Sequence, residues 1–357
     1  MVPRDSNPDR QFSTCAMESL PKVHLHVHLE STVRWPTLVE IATNNGGAVP
    51  SHLFEGHYVF GGFADFLHQN TLVRHCLRRP EDFRRIAFEF CEDEARDGTR
   101  YSEVYFTAAA HGERVGDLAM PLSAVLDGLE EGCAKFDFSV QVLLDHSRRR
   151  SVELAWQTVD LAVRHAKRGV VGVGLASDER FALEPFADVF AAAKGEGLRI
   201  VHHAGESCGA DSIRQAIEVG GAERIAHGIR ALEDESLVHM LRERRIALDV
   251  CPSSNVALGF VPSLALHPLP RLLEAGLRVS ISTDIPALLR TSLTREYRSL
   301  QETFGFTATT MAELAATAVE ASFASPMSKE ALRREIGGWS DPVSKKLRLA
   351  DEDPDGC

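Results

Sequence analysis

Three things are missing from this chain of 357 residues, and each absence closes off a class of function. There is no excess of positive charge: the formal net charge is -12, and the only dense basic run, Arg148 to Arg150, is short. Phosphate backbones need clustered Lys and Arg, so the charge argues against a nucleic-acid-binding surface and no nucleic-acid partner is expected. The run itself reads as a solvated turn in preference to a substrate-anion contact. There is no uninterrupted apolar stretch of membrane-spanning length and no charged-then-apolar leader, so no membrane partner is expected. There is no CxxC and no regular cysteine spacing among the seven cysteines. Reduced thiols in a cytoplasmic enzyme account for that most simply. Cys251 is the cysteine placed nearest a potential site, although such a residue is more often a small buried hydrophobe.

What is present is an ordinary globular composition, 44% hydrophobic and 25% charged, in a length that suits one (β/α) barrel or two smaller domains. Residues 1–17 are polar and proline-containing, and residues 346–357 are acidic without an apolar period, so both ends are expected to be mobile. Residues 18–345 are expected to form a single domain.

Within it lie about eight strand-like runs, beginning at Val23, Tyr101, Ser139, Val170, Leu198, Arg224, Ile246 and Arg278. Amphipathic segments separate almost all of them. In EDFRRIAFEFCEDEARDG, Phe83, Ile86, Ala87 and Phe90 share one helical face and Gly98 suits the stop. Parallel neighbours need crossover connections, so strand and helix alternating about eight times predicts an α/β fold, a (β/α)8 TIM barrel. A doubly wound open sheet is the runner-up. The insertion from about Ser31 to Pro80 exceeds one crossover helix and reads as a helical lid over the barrel mouth. Its Phe60, Phe63, Phe66 and Leu67 either cover a flat apolar ligand or pack as core.

The chemistry sits at the strand ends. In KVHLHVHLE, His26 and His28 are two apart, so their imidazoles project to the same side of a strand, where one divalent metal can bridge them. His24 belongs to the same alternating set and is read as a packed histidine with a hydrogen-bond partner in preference to a third ligand. His203 and Asp284 end later strands, and three His with one Asp suit zinc in a catalytic site that keeps a place for water. Glu206, three residues beyond His203, is placed to move protons, and His227 to polarise the attacking water or take its proton. Only a closed barrel brings these strand ends together.

These residues are also where the chain resembles the adenosine deaminase family of the metal-dependent amidohydrolase superfamily. PKVHLHVHLE, HHAGES, RIAHG, CPSSN and STDIP resemble its first, fifth, sixth, seventh and eighth strand signatures, and the resemblance spans nearly the whole chain. It implies one zinc ion held by His26, His28, His203 and Asp284, with Asp284 also counted among the catalytic groups. Glu206 would protonate a ring nitrogen of the substrate as hydroxide attacks the amino-bearing carbon, and His227 would orient and stabilise the hydroxide. The segment GLASDE has no lysine where two-metal relatives carry a carbamylated one, which favours a single metal.

Departures fall on ligand-facing positions. Ile285 stands where the family has a second carboxylate against the purine, Ser177 where it has a glycine, and Glu30 and Ser31 where it has a sugar-contacting Asp and a glycine. The implied partner is therefore a small-molecule amino-heterocycle or nucleoside, with specificity shifted from plain adenosine. A hydrolase of another bond, such as a cyclic amide or phosphoester, and a catalytically silent nucleoside-binding relative are the alternatives. Asp145 and Asp249 are candidate partners of the metal-site histidines, and Ser253, Ser254 or Asn255 of CPSSN is expected to brace the site.

Overall fold

The eight apolar runs become eight strands in the computed structural model, which describes residues 15–47 and 61–339. They are β1 (Lys22–His28), β2 (Thr99–Phe106), β3 (Ser139–Ser147), β4 (Val170–Ala176), β5 (Arg199–Ala204), β6 (Arg224–His227), β7 (Ala247–Val250) and β8 (Arg278–Ile281). Each pairs in parallel with its sequence neighbour, giving the order β1 to β8. The ring closes through a parallel bridge between Val27 and Asp284. There the Asp284 amide donates to the His26 carbonyl at 3.0 Å and the His28 amide donates to the Asp284 carbonyl at 2.9 Å. An open sheet would leave β1 and β8 at opposite edges, so the runner-up fold is ruled out.

The main core lies between strands and helices. The helix Pro80–Arg96 starts at a proline, which suits a first-turn position with no hydrogen bond to lose, and buries Phe83, Ile86, Ala87 and Phe90. Gly98 follows it with φ 77°, as a stop requires. Glycines in β4 serve close approach of strands: a Cβ on Gly174 would collide with the Val201 carbonyl of β5. Inside the barrel, Arg224 forms ion pairs of 2.6 Å with both Glu103 and Asp249. These two carboxylates hold a cation whose burial alone would be costly.

The readings of His24 and of the basic run are decided here. His24 shares its strand's alternation on paper, but the β1–β2 pairing shifts register between His24 and Val27. His24 lies instead against Glu94 of the helix Pro80–Arg96, at 3.0 Å, and its other nitrogen accepts from the Thr283 amide at 3.1 Å. The packed reading holds. Arg148 is not in a solvated turn: it is buried, and its guanidinium donates to the His203 carbonyl at 2.8 Å. Met17, within the short helix Cys15–Ser19, is buried. Residues 1–14 and the acidic tail lie outside the described residues, as does Phe60. No described helix is long and apolar enough to cross a membrane.

The insertion after β1 supplies the helices Trp35–Asn44 and Phe63–Cys76. On the second, Phe63, Phe66, Asn70 and Arg74 recur at helical spacing and face the barrel mouth. Phe63 also packs on Phe260, ring centres 5.3 Å apart.

Candidate active site

Strand alternation delivers the donors. In β5, His202 turns outward, bonding the Leu175 amide and the Gly220 carbonyl, while His203 turns into the barrel. Nitrogen and oxygen atoms of His26, His203, His227 and Asp284 lie within 4.8 Å of one another, all in buried residues. His28 joins them, its Nε2 3.1 Å from Nε2 of His203 and 3.4 Å from Oδ1 of Asp284. Five groups from β1, β5, β6 and the turn after β8 therefore converge on one point.

Hydrogen bonds sort the four imidazoles. His203 Nδ1 donates to the Leu175 carbonyl at 3.1 Å, His28 Nδ1 faces Asp145 Oδ2 at 3.3 Å, and His26 Nδ1 faces the Asp249 carbonyl at 3.5 Å. Each of the three thus spends its proton on an oxygen and turns an Nε2 lone pair inward, the tautomer a metal ligand needs. His26 Nε2 is buried with no hydrogen-bond partner.

His227 is different. The Leu269 amide donates to His267 Nδ1 at 3.1 Å, which leaves His267 Nε2 as a donor to Asn255 Oδ1 at 3.2 Å. The Asn255 amide then faces His227 Nδ1 at 3.3 Å and donates to it. A backbone N–H begins the relay and can only donate, so His227 carries its proton on Nε2 and offers a donor to the cavity. Burial first, and the neighbouring His26, lower the pKa of this imidazole well below the ordinary value, which keeps it neutral.

Asp284 is held ionised. Burial pushes its pKa up, but the surrounding imidazoles of His26, His227 and His28 hold it well below the usual carboxylate range. Ser254 donates to its Oδ2 at 2.5 Å. Ser254 and Asn255 thus do the bracing expected of CPSSN, whereas Ser253 bonds Glu296 through its backbone. Asp145 serves His28 as foreseen. Asp249 serves His26 only through its carbonyl, its carboxylate being taken by Arg224 and Ser280. Cys251 is buried and its thiol bonds the Asp249 carbonyl at 3.8 Å.

Glu206 lies across the same cavity, Oε1 3.3 Å from His227 Nε2. Burial, followed by the charges of Asp284 and Glu179, raises its pKa well above the ordinary carboxylate value. A carboxyl that keeps its proton near neutral pH is a proton donor. Its loop is clamped by Glu179, whose carboxylate accepts the amides of Gly205, Glu206 and Ser207 at 2.7, 2.9 and 2.7 Å and the Ser212 hydroxyl at 2.5 Å.

The cavity is bounded by these groups and by Glu30, Phe63, Phe66 and Ser177. Glu30 accepts from the Thr107 amide at 3.1 Å and from His111 at 3.0 Å. Ile285 is the exception among the expected ligand contacts. Asp284 takes a left-handed φ of 62°, and the side chain after it is fully buried in the hydrophobic core instead of facing the cavity. Ser177 and His227 are left-handed too, at 77° and 71°, a strain that clusters at functional sites. Sequence reasoning missed Glu179 and His267, since both act through loops distant in sequence and carry no local spacing signal.

A parallel barrel with three Nε2 lone pairs, a carboxylate and a protonated acid at its carboxyl-terminal mouth defines a metal-dependent hydrolase barrel. A family model described as adenosine deaminase matches residues 21–339, and the chain belongs to that family of hydrolytic deaminases. It is 38% identical over 293 residues to the aminodeoxyfutalosine deaminase of Acidothermus cellulolyticus, covering 79% of this chain and 82% of that protein. It is 35% identical over 315 residues to the adenine deaminase of Rhizobium leguminosarum bv. trifolii, covering 88% and 98%. The crystal structure of an adenine deaminase from Arthrobacter aurescens superposes with a TM-score of 0.83 at 30% identity, covering 90% of this chain and 99% of that one.

Proposed function

We propose that this chain deaminates an adenine-type nucleoside or a related amino-heterocycle, with one zinc ion held by His26, His28, His203 and Asp284. The observation that carries the reading is the pairing, in one cavity, of that donor set with a buried acid, Glu206, which burial keeps protonated. The donors fit a metal: three inward lone pairs and an ionised carboxylate, with His26 Nε2 otherwise unpartnered in the interior. When bound, the metal supplies the Lewis acidity that makes water nucleophilic near neutral pH.

The chain's own groups do the rest. Attack of water at the carbon bearing the amino group breaks ring conjugation, so the barrier falls if the adjacent ring nitrogen gains a proton at the same time. Glu206 gives that proton. His227, as an Nε2–H donor, holds the incoming oxygen. One water enters, ammonia leaves, and a ring carbonyl remains. Phe63 and Phe66 lie over the flat ring, and Glu30 and Ser177 complete the substrate contacts. Five free cysteines among the described residues suit a reducing compartment, and we place the enzyme in the cytoplasm.

Ammonia release by the zinc-loaded protein, measured across adenine, adenosine, adenosine monophosphate and ring-modified adenine nucleosides, tests the reading. Glu206→Gln is expected to keep its zinc while losing turnover by at least about a hundredfold. No ammonia from any compound, with zinc bound one to one, would overturn it.

A further inference from the structure

The cavity does not end at the site. Phe63, Leu67, Arg74, Ser147 and Ser177 line both it and an outer chamber on the solvent side. The wall of that chamber carries four guanidinium groups, Arg74, Arg149, Arg150 and Arg180, against a single carboxylate, Asp178. On a chain with a net charge of -12, such a concentration of positive charge is local and runs against the general field.

Two of the four are neutralised. Arg180 grips Asp178 with two bonds, at 2.9 and 2.7 Å, and Arg150 pairs with Glu113. The other two form no ion pair among the described residues, although Arg149 lies near enough to Asp178 to help hold that carboxyl ionised. Among the described residues Arg74 hydrogen-bonds only to the Thr71 hydroxyl, at 3.5 Å, and Arg149 lies over the Phe181 ring, 5.8 Å from its centre. Arg74 stands near enough to Glu30 to help hold that carboxyl ionised, but both hydrogen bonds to Glu30 come from Thr107 and His111. The forks of Arg74 and Arg149 are therefore open to an incoming oxyanion, the partner their planar geometry matches.

Depth sets where on the ligand that oxyanion sits. The amino-bearing ring must reach Glu206 and the metal donors, whereas Arg149, Arg150 and Arg180 line only the outer chamber, which the inner cavity meets at Phe63, Leu67 and Arg74. We infer that the substrate carries an oxyanion, a phosphate monoester or a carboxylate, at the end remote from its amino-bearing ring, and that Arg74 and Arg149 bind it. This rests on the deaminase reading for the position of the ring. It also gives the Arg148 to Arg150 run a divided role: Arg148 braces β5 from within while Arg149 faces ligand.

Calorimetric binding of inosine monophosphate and inosine to the zinc-loaded protein tests this without turnover, since both are product-like and differ by one phosphate. The monophosphate is expected to bind at least about tenfold tighter, with the ratio falling toward one at high salt and in R74Q and in R149Q. R149Q changes an exposed side chain, so it remains informative if R74Q folds poorly. In a parallel arm, kcat/KM is compared for adenosine monophosphate, adenosine-5′-carboxylate and the neutral 5′-carboxamide. A preference for the first identifies phosphate as the anion, and for the second carboxylate. Equal binding of inosine and its monophosphate, unchanged in both variants, would overturn the oxyanion site while ammonia release left the deaminase reading standing. Tighter monophosphate binding that both variants abolish, without ammonia from any compound, would do the reverse.

Discussion

His267 Nε2 donates to Asn255 Oδ1 across 3.2 Å, and the direction of that bond fixes the proton on an imidazole neither residue's sequence position would suggest it controls. Reversing it reverses His227. Asn255→Asp replaces the amide donor by an acceptor, so His227 would carry its proton on Nδ1 and present a lone pair to the incoming oxygen. Turnover is expected to fall by about a hundredfold or more with zinc content unchanged, the scale of a misplaced proton in acid–base catalysis. Unchanged kcat in a zinc-replete Asn255→Asp protein would show that the tautomer is immaterial.

In the proposed zinc site, Asp145 acts through His28. Asparagine there keeps the size of the side chain but removes the charge that holds the His28 proton on Nδ1, 3.3 Å away. Zinc affinity is expected to weaken about 10- to 100-fold, as for other partners of metal-bound histidine. Competition with a chelator of known affinity measures it. An unaltered zinc affinity would mean that His28 either needs no orientation or is no ligand.

A buried acid away from the reaction sets a pH limit on stability. Glu296 is fully enclosed, and burial pushes its pKa to about 7 despite hydrogen bonds from Ser253 and Thr291. The folded protein then holds this proton at pH values where the unfolded chain has released it. Its favourable contribution is complete below the unfolded pKa of 4.5 and is lost as pH rises through 7, a change of roughly 3 kcal/mol for a shift of this size. Glu296→Gln should flatten the fall in stability between pH 5 and 8. Urea unfolding across that range is the check, and parallel curves for the two proteins would count against the assignment.

Restoring the family's second carboxylate at position 285 should damage the fold before it affects specificity. Ile285 is 0% exposed and sits in the core, so Ile285→Asp places a charge among apolar side chains with no partner. A loss above about 3 kcal/mol in chemical denaturation is expected. A stable variant that gains activity on adenosine would show instead that position 285 turns toward ligand.

That last case shows where sequence stopped being a guide. His26, His28, His203 and Asp284 were legible because strand alternation and strand ends are local rules, and a closed barrel turns eight local ends into one site. Ile285 follows a left-handed residue, and nothing in STDIP reveals that turn. His24 obeyed the alternation on paper and lost it to a register shift in β1. Arg148 looked like part of an exposed basic run, although its bond to the His203 carbonyl crosses 55 residues. Glu179 and His267 were invisible for the same reason: their partners lie in other loops, and only folding brings them within reach.

Asp284 has two duties that are usually kept apart. Its carboxylate faces the donor cluster while its own backbone amide and carbonyl stitch β8 to β1. No amino-terminal portion of the chain ending before β8 holds the full donor set, whatever its length. Translation must pass position 284 before the ends of the ring can meet, and the same residue that completes the seam completes the donor cluster. The donor cluster is thereby complete only where the seam between β8 and β1 has formed.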